Sequence, residues 1–182
     1  METYVGLLRA VNVGGNPLAM ATLRGFLERE GLEEVQTLLQ SGNVVFRSEN
    51  DDPGRLGRHL EERLARALDL RTDFLLRRAS EWKAIVQRNP FPKEAETAPN
   101  LLVVTTLKAA PGPSNWKALA DAVSGPERVH GAGREAYIVY PDGQGRSRLT
   151  LSVIERHLGT RGTSRNWNTV TKLDRLASPA SS

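Results

Sequence analysis

An α+β chain made of two β-α-β-β-α halves and a closing C-terminal helix is the fold the sequence predicts. Three observations carry that expectation. Short β-rich runs alternate with helical periodicities instead of gathering into blocks. The same strand–helix–strand–strand–helix order starts again after residue 100. Between the two lies "NPFPKEAETAPN", aperiodic and rich in proline and acids.

The run "TYVGLLRAV" reads as the first strand, with Val5, Leu7, Arg9 and Val11 on one face and Tyr4, Gly6, Leu8 and Ala10 on the other. "MATLRGFLERE" sets Met20, Leu23, Phe26 and Leu27 at helical spacing, and Gly31 follows as a stop. "EVQTLLQ" and "NVVFRS" read as strands joined by a tight turn at Ser41-Gly42. "PGRLGRHLEERLARALDL" repeats Leu56, Leu60, Leu64 and Leu68 every four residues, and Pro53 suits a first helical turn. "TDFLLRR" is a strand. "SEWKAIVQRN" is a short helix, with Ser80 the candidate N-cap and Trp82, Ile85 and Val86 turned inward. The first half thereby follows the split βαβ order of a ferredoxin-like sheet, with antiparallel pairing dominant.

The second half offers the strand "LLVVTTL", the helix "SNWKALADAV", the strands "ERVHG" and "AYIVYP" about the turn "AGRE", and the helix "LTLSVIERHLG". A last helix is expected from "SRNWNTVTKLDRLA", capped by Thr163 or Ser164 and carrying Arg165, Asn166 and Asn168 in its first turn. The expected organisation is a ferredoxin-like N-terminal half over 1–88, a linker over 89–99, a related C-terminal half with the final helix over 100–177, and a disordered tail over 178–182.

Composition narrows the chemistry. The 182 residues contain no cysteine, which excludes disulfides, a thiol nucleophile and thiolate-bound metals. The N-terminus opens with an acid and lacks a basic region followed by a long apolar run, so no signal peptide is expected. No stretch reaches the roughly 18 apolar residues of a membrane span. The expectation is a soluble cytoplasmic protein with no membrane partner. The net charge of +4, carried mostly by arginine, suits a polyanion partner. Much of it falls on a solvated helix face, however, where Arg55, Arg58, Arg63 and Arg66 share one segment with Glu61 and Glu62.

Three stretches invite a functional reading. In "LLRAVNVGGNP" a charged residue, Arg9, sits in an apolar strand, and a cation there needs solvent, a partner or an anion. Gly14 and Gly15 then allow close backbone approach, and Asn12 and Asn16 offer amides. In "QSGNVVF", Ser41, Gly42 and Asn43 are ordinary turn residues that also present polar groups. In "GTRGTSRNWNTV", Arg165, Asn166 and Asn168 surround a tryptophan at the start of a helix, where N–H groups favour anions. Each also has a structural reading: a self-satisfied glycine turn, plain hairpin chemistry, and a core Trp167 continued by Val170 and Leu173.

"LLRAVNVGG", "LQSGNVVF" and "RNWNTVTKL", in this order, resemble the signature stretches of the bacterial family catalogued as domain of unknown function 1697. The resemblance runs from the first strand to the last helix. It departs from the family's usual glycine-isoleucine at Ala10-Val11 and keeps the polar positions. It implies a small α+β protein of ferredoxin-like halves and no assigned reaction. The residues matching the recurring positions are Arg9, Asn12, Gly14, Gly15, Ser41, Gly42, Asn43, Arg165, Asn166, Trp167 and Asn168.

Two arginines with side-chain amides and glycine backbone form a donor set suited to a phosphate or carboxylate, because the guanidinium fork pairs bidentately. The expected function is binding of an anionic, phosphate-bearing small molecule in a pocket lined by Arg and Asn from the three motifs. Two alternatives stand beside it. One is nucleic-acid binding on a sheet, with Tyr4, Phe46, Phe74, Tyr137 and Tyr140 as stacking rings and Arg71, Arg77 and Arg78 on phosphates. The other is a metal-independent enzyme acting on a phosphorylated or carboxylate molecule. Catalytic residues, cofactor and oligomeric state stay open. The histidines, His59, His130 and His157, lie outside the motifs without metal-ligand spacing, and no metal site is expected. Ser41 or Ser164 would need a base to act as a nucleophile.

Overall fold

The computed structural model describes residues 1–11 and 17–178. It divides into two compact units, Met1–Val86 with Lys172–Ser182, and Gln87–Thr171. The expected disordered tail lies outside the described residues, apart from Ser178.

The first unit runs β1 (Glu2–Leu8), α1 (Met20–Arg29), β2 (Glu33–Leu38), β3 (Asn43–Ser48), α2 (Pro53–Leu68), β4 (Phe74–Arg78) and the start of α3 (Ala79–Gln87). Its sheet has the order β2-β3-β1-β4, antiparallel throughout. The two-residue period of β1 places Tyr4 and Leu8 with Val44, Phe46, Phe74 and Leu76 on the face covered by helices. Leu23, Phe26 and Leu27 of α1 and Leu56, Leu60 and Leu64 of α2 fill the other side of that core. The four-residue leucine repeat of α2 is thus its buried stripe.

Local chemistry fixes where these helices begin. Asp52 caps α2, accepting from the Gly54 and Arg55 N–H groups at 3.0 Å each, with Pro53 at the first helical position. α3 follows β4 without a loop and begins two residues earlier than an N-cap at Ser80 would place it. The Glu81 carboxylate accepts from the Arg78 N–H at 2.7 Å, the reciprocal half of a capping box. Arg63 grips Glu30 through Nε and Nη2 at 2.9–3.0 Å, tying α2 to α1.

The second unit continues with α4 (Pro92–Thr97), β5 (Leu102–Leu107), α5 (Pro113–Ala122), β6 (Arg128–Ala132), β7 (Glu135–Val139), α6 (Leu151–Leu158) and β8 (Gly162–Asn166). α7 (Trp167–Ala177) closes the chain. The sheet order β6-β7-β5-β8 repeats the first, again antiparallel. Val103, Leu107, Ala136 and Ile138 face Leu119 of α5 and Ile154 and Leu158 of α6. The segment expected to be an aperiodic linker holds α4, which starts at Pro92 and has no fully buried residue.

The largest departure lies before α7. Residues 163–166, expected as a helix cap and first turn, form the edge strand β8. It pairs with β5 from Val103↔Asn166 to Leu107↔Gly162 and completes a fourth strand in the second sheet. Gly162 permits this approach. A Cβ there would stand 2.7 Å from the Thr106 carbonyl oxygen and 3.0 Å from Leu107 Cδ2.

Candidate functional site

In the first unit, β1 brings two of the three motifs together. Leu7 pairs with Asn43, and the Leu8 N–H donates to the Gly42 carbonyl at 2.9 Å. The chain leaves the strand at Arg9, whose N–H donates to the Asp73 carbonyl at 3.0 Å and whose carbonyl accepts from the Thr72 hydroxyl. Arg9 is therefore fixed by its backbone next to the 39–42 loop. Asn12, Gly14 and Gly15 lie outside the described residues.

That loop is longer than the Ser41-Gly42 pair. It spans residues 39–42, with Leu39 at φ 60° and Gly42 at φ 80°. Asn43 is fully buried, and its Nδ2 donates to the Leu38 carbonyl and to Ser41 Oγ, both at 2.9 Å. The amide nitrogen expected to face a ligand is committed to holding the turn.

In the second unit the third motif straddles a strand and a helix. Arg165 and Asn166 end β8, while Asn168 lies exposed in the first turn of α7. Asn166 Oδ1 accepts from the Thr169 N–H at 3.0 Å, so Asn166 is the cap that Thr163 and Ser164 were expected to supply. Trp167, Val170 and Leu173 are buried, in keeping with the core reading of the tryptophan. Arg165 Nη1 donates to Thr163 Oγ1 at 2.7 Å and to the Ser164 carbonyl at 2.9 Å. Desolvation pulls its guanidinium down to about 10, far below the ordinary arginine range.

The register gathers further polar groups around Arg165 that the sequence reading passed over. Arg165 pairs with Val104, and Thr163 with Thr106, so the four side chains share one face of the sheet. Thr106 is 1% exposed, and its hydroxyl has no hydrogen-bond partner. The sequence signal was two consecutive threonines at the end of an otherwise apolar strand. Thr105, on the opposite face, is hydrogen-bonded to Ser164 Oγ at 2.8 Å. Ser164 thus holds a hydroxyl partner and not a base.

The stacking alternative loses its platform. Tyr4, Phe46, Phe74, Tyr137 and Tyr140 are at most 3% exposed; the first three point into the core under α1 and α2, and Tyr140 into that under α5 and α6. Burial pushes the Tyr137 hydroxyl up to about 12. Arg77, offered as a phosphate contact, is also buried, with Nη1 donating to the Leu76 carbonyl. Of the histidines, His59 lies 3.5 Å from Glu30 and His130 beside the Tyr137 ring, while the His157 carbonyl accepts from Asn115. Among the described residues no group of three His, Asp or Glu side chains is placed to hold a metal.

A cleft of about 780 Å³ in the first unit is lined by Glu2, Glu34, Gln36, Arg47 and Arg175 and by none of the motif residues. Glu34 already pairs with Arg47 there at 2.8 Å, so the cleft is poorly suited to an anion. No described helix is long and apolar enough to cross a membrane.

The family model described as "Protein of unknown function (DUF1697)" matches residues 1–137. No curated protein matches the chain. Among solved structures, the conserved bacterial protein SP0830 from Streptococcus pneumoniae is similar, with a TM-score of 0.77 and 23% identity. The match covers 97% of this chain and 99% of that one, which extends the likeness in fold over both units.

Proposed function

The chain belongs to the DUF1697 family of proteins of unknown function, and from that premise we propose that it binds an anionic, phosphate-bearing small molecule with Arg165 as the anchoring cation. The observation that carries the proposal is the state of that side chain. The guanidinium is drawn largely out of water while it donates to Thr163 Oγ1 and the Ser164 carbonyl, and a lower local dielectric strengthens its attraction for an anion. The planar fork of an arginine holds a phosphoryl group through two parallel bonds.

Arg9, beside the 39–42 loop, is the corresponding cation of the first unit. Asn43 and Asn166 support the reading differently from what their side chains suggested, as the groups that fix the turn and the helix next to each arginine. The proposed role is binding; no base or nucleophile is assigned.

A thermal-shift screen of inorganic phosphate, nucleotides and sugar phosphates tests it. A ligand at 100 times its Kd adds about 2.7 kcal/mol to stability by mass action and raises Tm accordingly. The expected hit stabilises the wild type and fails to stabilise Arg165→Ala, with Arg9→Ala assayed separately. A hit whose shift survives both substitutions places the ligand elsewhere.

A further inference from the structure

We infer that the chain self-associates through strand β6, two copies pairing antiparallel about His130 so that their second sheets join edge to edge. β6 is the outer strand of that sheet and, among the described residues, pairs with β7 alone. The Leu107 N–H donates to the Arg134 carbonyl at 2.8 Å, so residues 134, 136 and 138 bond toward β5 and residues 135, 137 and 139 toward β6. Ala132, His130 and Arg128 stand opposite the latter three and spend their backbone groups on β7. The N–H and C=O groups of Val129 and Gly131 therefore point outward from the sheet.

The other three sheet edges are blunted. β2 carries a register shift between Glu33 and Gln36, with Glu34 left-handed at φ 50°. Four of the five residues of β4 are buried, and β8 runs directly into α7. β6 has an unbroken register over its five residues, no proline and no fully buried position. Its one formal charge, Arg128, is neutralised by Glu94 of α4.

This edge is complementary to a second copy of itself. Val129 and Gly131 lie symmetrically about His130, so a two-fold axis there sets Val129 of each copy opposite Gly131 of the other, with each outward N–H facing a carbonyl. On the helix-covered face, Trp116 of α5 occupies the space that Gly131 leaves, its ring 2.4–2.6 Å from where a Cβ would stand. Trp116 and Val129 are only partly buried at the rim of that core. The pairing seats Val129 of each copy beside Trp116 of the other, an aromatic and β-branched contact made twice. On the opposite face the exposed His130 meets its own copy, and Arg128 comes opposite Ala132, so no two arginines are directly opposed. A seam this short belongs to the small, transient class of interface.

Sedimentation velocity over a wide range of protein concentration tests the inference on the wild type, Val129→Pro, His130→Lys and His130→Glu, with melting curves to show that each is folded. The wild type is expected to show a reversible monomer–dimer equilibrium. Val129→Pro removes an outward N–H that the ladder with β7 does not use. It is expected to weaken the dimer about tenfold, since symmetry removes two hydrogen bonds. His130→Lys and His130→Glu each set like charges across the axis and are expected to weaken it up to about fivefold; an equimolar mixture of the two brings opposite charges together and should dimerise more tightly than either alone. A wild type that stays monomeric throughout overturns the inference. A dimer unaffected by Val129→Pro and His130→Lys overturns it as well, because the contact then lies on another surface. If Val129→Pro fails to fold, the mixing experiment decides: a mixture no tighter than its components overturns the pairing about His130.

Discussion

At Asn166 a single side chain ends a strand and starts a helix, and that double duty separates it from Asn168 two residues later. Its Oδ1 satisfies the Thr169 N–H, so Asn166→Ala is expected to cost about 0.5–2 kcal/mol in urea unfolding, the range for a lost N-cap. The exposed Asn168→Ala is expected to stay within about 0.5 kcal/mol of the wild type. Equal effects would mean that the cap is not what holds the start of α7. Gly42 is constrained differently. At φ 80°, an added Cβ would lie 2.6 Å from Val11 Cγ2 and 2.8 Å from Leu8 Cβ. Gly42→Ala therefore combines left-handed strain with overpacking, and about 1–3 kcal/mol of destabilisation is expected from the same measurement. The glycine reads as a turn residue in sequence; only the packing shows that its bare Cα is also required.

The pairing of α1 with α2 gives an acid-sensitive contact. The hydrogen bonds from Arg63, followed by the positive charges of Arg63 and His59, hold the Glu30 carboxyl below its ordinary value of 4.5. A depressed carboxylate contributes stability that is present above its unfolded value and lost as pH falls through the folded one. Stability is therefore expected to decline below about pH 4.5, and Glu30→Gln should flatten that part of the profile; an unchanged slope would assign it to other carboxylates. The sequence made these two helices plain, since the leucine repeat and Pro53 are local signals. It hid β8 for a physical reason. That strand is held by pairing with β5, some sixty residues away, and Thr163 and Ser164 carry the same composition in an edge strand as in a helix cap. α4 was hidden for the opposite reason: with no fully buried residue it has no apolar period to read. Arg9 was legible as a candidate because charge in an apolar strand is a local anomaly, and Arg165 because it was read at a helix start. The buried, unbonded hydroxyl of Thr106 was not, because it depends on the register of β5 against β8.

Across the molecule, the same strand order serves two sheets with separate cores, and the anion reading rests on one face of the second. Leu60 and Ile154 are fully buried in the respective cores, so Leu60→Ala and Ile154→Ala should each cost about 2–5 kcal/mol in the unit that holds the residue. Binding at Arg165 predicts a different response: affinity for phosphate falls with ionic strength, but less steeply than for an exposed ion pair, because a desolvated cation is screened less. The most direct measurement of the central claim is calorimetric titration of inorganic phosphate into the wild type and Arg165→Ala at one low salt concentration. Saturable heat in the wild type that vanishes in the variant is the result expected. Equal heats in the two proteins, or none in the wild type, would contradict the claim that Arg165 anchors an anion.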